Sequence, residues 1–312
     1  MAAPRNSFAP SSLDEEVEDD NDAWTPLQFA ALHGDLPLLK QLLASDLDPD
    51  VNAPARGYYG RTALQAAASN GHMEAVQLLL AVGADPNAPG GNNGGRTAVQ
   101  AAAGAGFADI VQVLVEAGAR IAEPPVRYIG RSALQAAAAG GHLELVRQLL
   151  AMDGVDVNEP ASRYGGRTAL QAAAEGQFAR SALQAGDGGW PDVVRLLLQA
   201  GADVNAPPGR YFGRTALQHA AENGDIEIMD ILLAAGADVN ANGCYHSGTT
   251  ALAAAAENGR LEAVKKLLAA GADVRATSGD AYTHRTTLQA ADLADHMEIV
   301  KILEAAENAL QE

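Results

Sequence analysis

Apolar positions along the chain recur in a two-beat pattern. A short alanine-rich stretch, such as Leu64 to Ala68, is followed after Gly71 by a second stretch with Met73, Val76, Leu79 and Leu80 on one face at helical spacing. The second stretch stops at Gly83, and the polar run Ala84-Asp85-Pro86-Asn87 leads away from it. This predicts a thin helix, a tight turn, a thicker helix and an extended loop whose Asp and Asn bond their own backbone. The beat returns along the whole chain. Arg-Thr-Ala-Leu-Gln-Ala-Ala stands at Arg61 to Ala67 and Arg167 to Ala173, with variants from Arg96, Arg131, Arg214, Thr249 and Arg285 and a divergent copy from Trp24. The Thr or Ser of each copy lies at 25, 62, 97, 132, 168, 215, 250 and 286, so the spacings are 37, 35, 35, 36, 47, 35 and 36. Eight units follow, starting near 24, 61, 96, 131, 167, 214, 249 and 285, and the excess of unit five falls at residues 177–188.

Each unit opens on a capping box. Thr62 can accept from the backbone N–H of Gln65, and the Gln65 side chain can reach back to the Thr62 N–H. The seventh copy has Ala253 in place of that Gln, which predicts half a box. Asp295 stands where other copies have the interhelix glycine, and Asp tolerates left-handed geometry better than most residues. Repeat three ends Gly118-Ala119-Arg120-Ile121-Ala122, without the loop Asp and Asn, which predicts a finger less well held. Within the excess, Arg180-Ser181-Ala182-Leu183-Gln184-Ala185 copies a helix start, but Gly186, Gly188 and Gly189 favour a mobile bulge.

Gly71-His72-Met73-Glu74, Gly141-His142-Leu143-Glu144 and Gly201-Ala202-Asp203-Val204-Asn205, joined to the Thr-Ala-Leu-Gln boxes, resemble the ankyrin repeat family over about residues 24 to 305. The resemblance implies an all-α solenoid of about eight helix-turn-helix repeats with extended hairpin fingers, an ankyrin repeat domain at 24–312 behind a tail at 1–23. It further implies a non-catalytic module that binds a protein partner on a concave face made by the fingers and the exposed ends of the first helices. Fingers carrying Tyr-x-Gly-Arg-Thr-Ala-Leu-Gln resemble arrays of filamentous fungi, often the receptor end of larger chains with a nucleotide-binding switch domain. A recognition part of a signalling or immune-type receptor assembly, or a purely structural spacer, is therefore the alternative reading.

Composition changes this picture in a few places. Apolar residues make up 48 % of the chain but only 14 are aromatic, so the core is built from many small contacts. A net charge of −18 argues against nucleic acid and anionic membranes as partners. The single cysteine allows no intramolecular disulfide, MAAPRNSFAP is no signal peptide, and no long apolar run spans a membrane. An intracellular, cytoplasmic or nuclear monomer with no small-molecule substrate is expected. Catalytic and cofactor motifs are missing: none of the four lysines follows a glycine as a phosphate loop needs, and no histidine precedes a glutamate as in zinc-protease helices. No cofactor and no metal are expected. Ser132 reads as a helix cap, and His72, His142 and His296 as helix-start residues bonding a neighbouring loop. Cys244 reads as a solvent-accessible thiol, oxidation-sensitive if His246 lowers its pKa.

One pattern rises above the fold. All seven tyrosines fall in the fingers, and arginines accompany them there or precede the cap. The candidate partner-binding residues are Tyr58, Arg61, Arg127, Tyr128, Arg131, Arg163, Tyr164, Arg167, Arg210, Tyr211, Arg214, Tyr245, Tyr282 and Arg285. Tyr and Arg are enriched at interface hot spots. The competing reading is that they stack between fingers and stiffen them. Glu222 and Glu257 are placed to hold some of these arginines. As charges on a solvated face, Arg131 and Arg167 are expected to tolerate reversal with little change in stability. The tail, with seven acids between Asp14 and Asp22, is expected to be disordered and able to compete for the basic face. Ser11 and Ser12, each with an acid three residues later, are candidate phosphorylation sites.

Overall fold

The computed structural model describes residues 24–45, 49–54, 60–91, 95–122, 130–162, 166–176, 189–210, 213–244, 248–278 and 285–310. Sixteen helices among them form eight pairs. The first three pairs are α1 (Pro26–His33) with α2 (Leu36–Leu43), α3 (Ala63–Ser69) with α4 (Met73–Ala81), and α5 (Ala98–Ala105) with α6 (Ala108–Glu116). Next come α7 (Ala133–Ala139) with α8 (Leu143–Leu150), α9 (Ala169–Glu175) with α10 (Gly189–Gln199), and α11 (Ala216–Asn223) with α12 (Ile226–Ala234). The last are α13 (Ala251–Glu257) with α14 (Leu261–Ala269), and α15 (Thr287–Leu293) with α16 (Met297–Ala309). Between the last two pairs, β1 (Thr277–Ser278) and β2 (Arg285–Thr286) close an antiparallel finger base with Thr277 opposite Thr286.

Every first helix starts on the Thr or Ser that the spacing marks. The box is complete in seven of them. In α13, Thr250 accepts from the Ala253 N–H at 3.2 Å and Ala253 returns nothing. The box glutamines have a second task. Gln65 Nε2 donates to the carbonyl of Ala88 at 2.8 Å, Gln171 to Ala206 at 2.9 Å and Gln218 to Ala241 at 2.9 Å. Each thus ties its helix start to the base of the following finger, and a buried amide is left fully used. Asp295 takes φ 60°, the left-handed turn that Gly259 makes at 68° in the preceding repeat.

The pairs stack into two rows. First helices pack on first helices from α1 to α15, and their alanines, among them Ala67, Ala102, Ala137, Ala173 and Ala220, are fully buried. Small side chains let these backbones approach closely. Each second helix contributes one leucine to a buried column: Leu39, Leu79, Leu114, Leu149, Leu197, Leu232, Leu267 and Leu303 are all 0 % exposed.

A polar ladder crosses the row of first helices at their C-terminal ends, where helical carbonyls lack internal partners. The ring Nε2 of His72 lies 3.0 Å from the Leu32 carbonyl, that of His142 3.3 Å from Gly104, and that of His296 3.1 Å from Glu257. Trp190 Nε1 donates to Ala139 at 3.1 Å and Arg260 Nε to Glu222 at 3.0 Å. The histidines stand at helix starts, as their recurrence implied, but their partners are the C-terminal carbonyls of the preceding first helices and not a neighbouring loop.

The excess of unit five, residues 177–188, lies outside the described residues. On either side the stack is continuous: α9 packs on α7 and α11, and α10 on α8 and α12. Trp190 holds the position that His72 and His142 hold in their repeats.

Candidate functional site

Three positions of each first helix form one strip, counted from the capping residue. The residue before the cap is Trp24, Arg61, Arg96, Arg131, Arg167, Arg214, Thr249 or Arg285. Seven beyond the cap stand Leu32, Ser69, Gly104, Ala139, Glu175, Glu222, Glu257 and Leu293. Seven residues are about two helical turns, so an arginine before the cap can lie along its own helix and reach that position. Arg61 Nη1 donates to Ser69 Oγ at 2.8 Å, Arg167 pairs with Glu175, and Arg214 Nη2 meets Glu222 Oε1 at 3.1 Å. Arg131 approaches Glu175 of the next repeat at 4.0 Å. A hollow of about 30 Å³ is floored there by Ala136 and Ala172 and walled by Arg96, Arg131 and Glu175.

Four residues beyond the cap the strip carries alanine in six repeats: Ala66, Ala101, Ala136, Ala172, Ala254 and Ala290. His219 is the interior exception. It is 2 % exposed, with its Nε2 accepting from Arg167 Nε at 3.4 Å and its Nδ1 facing Glu222 at 4.0 Å. Arg131, Glu175, Arg167, His219, Glu222 and Arg214 therefore form one chain of contacts across repeats four to six. Burial first, then the positive fields of Arg167 and Arg214, hold the His219 pKa well below its ordinary value. The Glu175 carboxyl is pushed above its usual range by burial, against the pull of Arg167 and Arg131.

This network corrects the reading of Arg131 and Arg167 as charges on a solvated face. Their side chains are only 24 % and 21 % exposed and they share a half-buried carboxylate. Reversing them places like charges beside Glu175 and lowers stability as well as altering the surface. Glu222 does hold Arg214, but no ion pair of Glu257 occurs among the described residues. Glu175 and His219 were missed from sequence. The available signal was the replacement of alanine at the fourth and seventh positions of an otherwise uniform helix.

A pH dependence follows. Folded His219 stays neutral, while the unfolded chain frees it to its ordinary value of 6.5. Below 6.5 the unfolded state binds the extra proton, so this residue lowers stability as pH falls through that value towards its depressed folded pKa. Glu175 acts with the opposite sign in its own window, since its raised folded pKa lets the folded state take up a proton first on acidification. His219→Ala, which installs the residue of the sibling repeats, should flatten the decline. Urea midpoints between pH 7.5 and 5.5 check it, and parallel declines in both proteins would reject the assignment.

Of the other candidates, Arg61 and Arg285 are exposed at strip positions and Arg210 is exposed in a finger turn. All seven tyrosines, with Arg127, Arg163, Ser11 and Ser12, lie outside the described residues. Cys244 is buried, not solvent-accessible: at 9 % exposure it belongs to the finger base, which shields the thiol. No helix among the described residues is long and apolar enough to cross a membrane.

The family model described as "Ankyrin repeats (3 copies)" matches residues 27–125, 122–206 and 182–278. No curated protein matches the chain.

Proposed function

Since the chain belongs to the ankyrin repeat family, whose members are generally protein–protein interaction modules and typically non-catalytic, we propose that its first-helix strip binds an acidic, extended segment of a protein partner. The observation that carries this reading is an uneven distribution of charge. Helices α1, α3, α5 and α7 contain no acidic residue, whereas α9, α11 and α13 carry Glu175, Glu222 and Glu257 on the strip. Arg61 and Arg96 are exposed, while Arg167 and Arg214 are engaged by glutamates of their own helices. Partner carboxylates are therefore drawn to repeats two to four, where Arg guanidinium groups can fork onto them. Repeat one then receives an apolar or aromatic partner side chain. Trp24 stands there in place of Arg, Phe29 in place of Ala with 45 % exposure, and Leu32 in place of Ser or Glu. The finger residues Tyr58, Tyr128, Tyr164 and Tyr211 extend the same surface in this reading.

In sequence the acidic tail directly precedes Trp24, and it has the chemistry of the proposed partner. Deleting residues 1–22 should tighten the binding of an acidic peptide, more at low salt than at high salt. Fluorescence anisotropy across a salt series measures it. Equal affinities at every salt concentration would make the tail a bystander.

A further inference from the structure

A second ladder runs along the loops after the second helices, and at the six junctions whose following repeat has its own turn glycine it misses one rung. At five junctions an Asn side chain makes the same two bonds to the next repeat: its amide donates to a Gly carbonyl and its oxygen accepts from the N–H two residues on. Asn52 bonds Gly83 at 3.0 Å and Asp85 at 2.7 Å, and Asn87 bonds Gly118 at 2.9 Å and Arg120 at 2.8 Å. Asn158, Asn205 and Asn240 do the same at the later junctions, with distances of 2.8 to 3.1 Å. Between repeats three and four the equivalent residue is Ala122.

The receiving half of that junction keeps its form. Gly154 has φ 83°, against 93° for Gly83 and 90° for Gly118, so it makes the same left-handed turn. A Cβ on Gly154 would lie 3.9 Å from that of Ala122, which places Ala122 at the rung. None of the hydrogen bonds among the described residues uses the Gly154 carbonyl or the Asp156 N–H. The surroundings are more open than at the sibling junctions. Repeat four takes one extra residue between its column leucine, Leu149, and the turn glycine, compared with Leu79 and Gly83 in repeat two. Gly154 and Asp156 line a hollow of about 230 Å³ there, and a cleft of about 730 Å³, with Val115 and Met152 in its wall, shares Ile121 and Ala122 with it.

We propose that this notch binds the carboxamide of a partner protein's Asn or Gln side chain, which takes the place of the missing rung. The five intact junctions give the pattern: a carboxamide is the group that donates a hydrogen bond to the Gly carbonyl and accepts one from the N–H two residues on. A carboxylate can use only the second of these. Asp153, Asp156 and Glu159, set against Arg120 alone, leave the surroundings acidic and also disfavour it. The side chain's methylenes lie against Ile121 and Met152, which are half-buried apolar groups of the cleft wall. This site is on the loop side of the stack and is independent of the first-helix strip.

The test uses the full chain, isotope-labelled for amide NMR, with N-acetyl-glutamine methylamide as probe and its glutamate counterpart as control. The Gln compound should shift the Asp156 amide saturably and the Glu compound should not. Ala122→Asn should abolish that response and raise the thermal midpoint by supplying the rung internally. The proposal is overturned by no saturable response to Gln, by an equal response to Glu, or by a response that survives Ala122→Asn. A midpoint left unchanged by Ala122→Asn also overturns it, because the two backbone groups are then not presented as at the other junctions.

Discussion

Trp190→Ala should destabilise the fold by about 3–5 kcal/mol, the usual cost of truncating a fully packed tryptophan. Its side chain is 3 % exposed, lies against Gly141 and Gly176, and donates from Nε1 to the Ala139 carbonyl at 3.1 Å. A Cβ on Gly141 would sit 3.2 Å from the indole and one on Gly176 would overlap it, so the ring fills the space beside both. In sequence this indole stands directly after residues 177–188, the longest excess over the repeat. Trp190→His should recover part of the loss, since histidine does the same work at positions 72, 142 and 296. Urea denaturation gives the numbers. A loss below about 1 kcal/mol would mean that the indole packing contributes little to the fold.

The second large effect concerns binding. Changing Arg61 and Arg96 together to Glu should weaken an acidic partner about a hundredfold or more while moving the unfolding midpoint little. Charge reversal replaces two attractions by two repulsions at the site of contact. Both arginines are exposed, and exposed charges contribute about 0–1 kcal/mol to folding. The same pair of changes at Arg131 and Arg167 should behave differently. There the half-buried Glu175 loses its cations, and stability and binding fall together. Comparing the two double variants by calorimetry and by anisotropy separates the two kinds of arginine that one motif position contains.

The repeat itself was legible because its signals are local. A cap and its glutamine are three residues apart, the loop Asp bonds an N–H two residues on, and a left-handed turn needs one permissive residue. Each can be read from a short window, which is why Thr250 with Ala253 and the turn at Asp295 came out as the sequence implied. What escaped depends on neighbours about one repeat away. The surroundings of His219 are set by Arg167 of the preceding repeat, so its isolated spacing looked unremarkable. Trp190 is the equivalent of His72, but the intervening excess displaces it in sequence and hides the correspondence. Arg61 and Arg167 look alike in the motif and differ because Ser69 faces one and Glu175 the other. Burial of Cys244 likewise follows from how the finger base packs, which its flanking residues do not announce.

Peptide display against the intact protein tests the central claim most directly, because the selection itself reveals the chemistry that the strip prefers. A random library should be selected in parallel on the wild type and on the Arg61→Glu, Arg96→Glu double variant. Peptides enriched on the wild type are expected to be acidic, with an aromatic or large apolar residue to one side of the carboxylates, and to be lost on the variant. Enriched peptides without acidic bias, or acidic peptides retained equally by the double variant, would contradict the account.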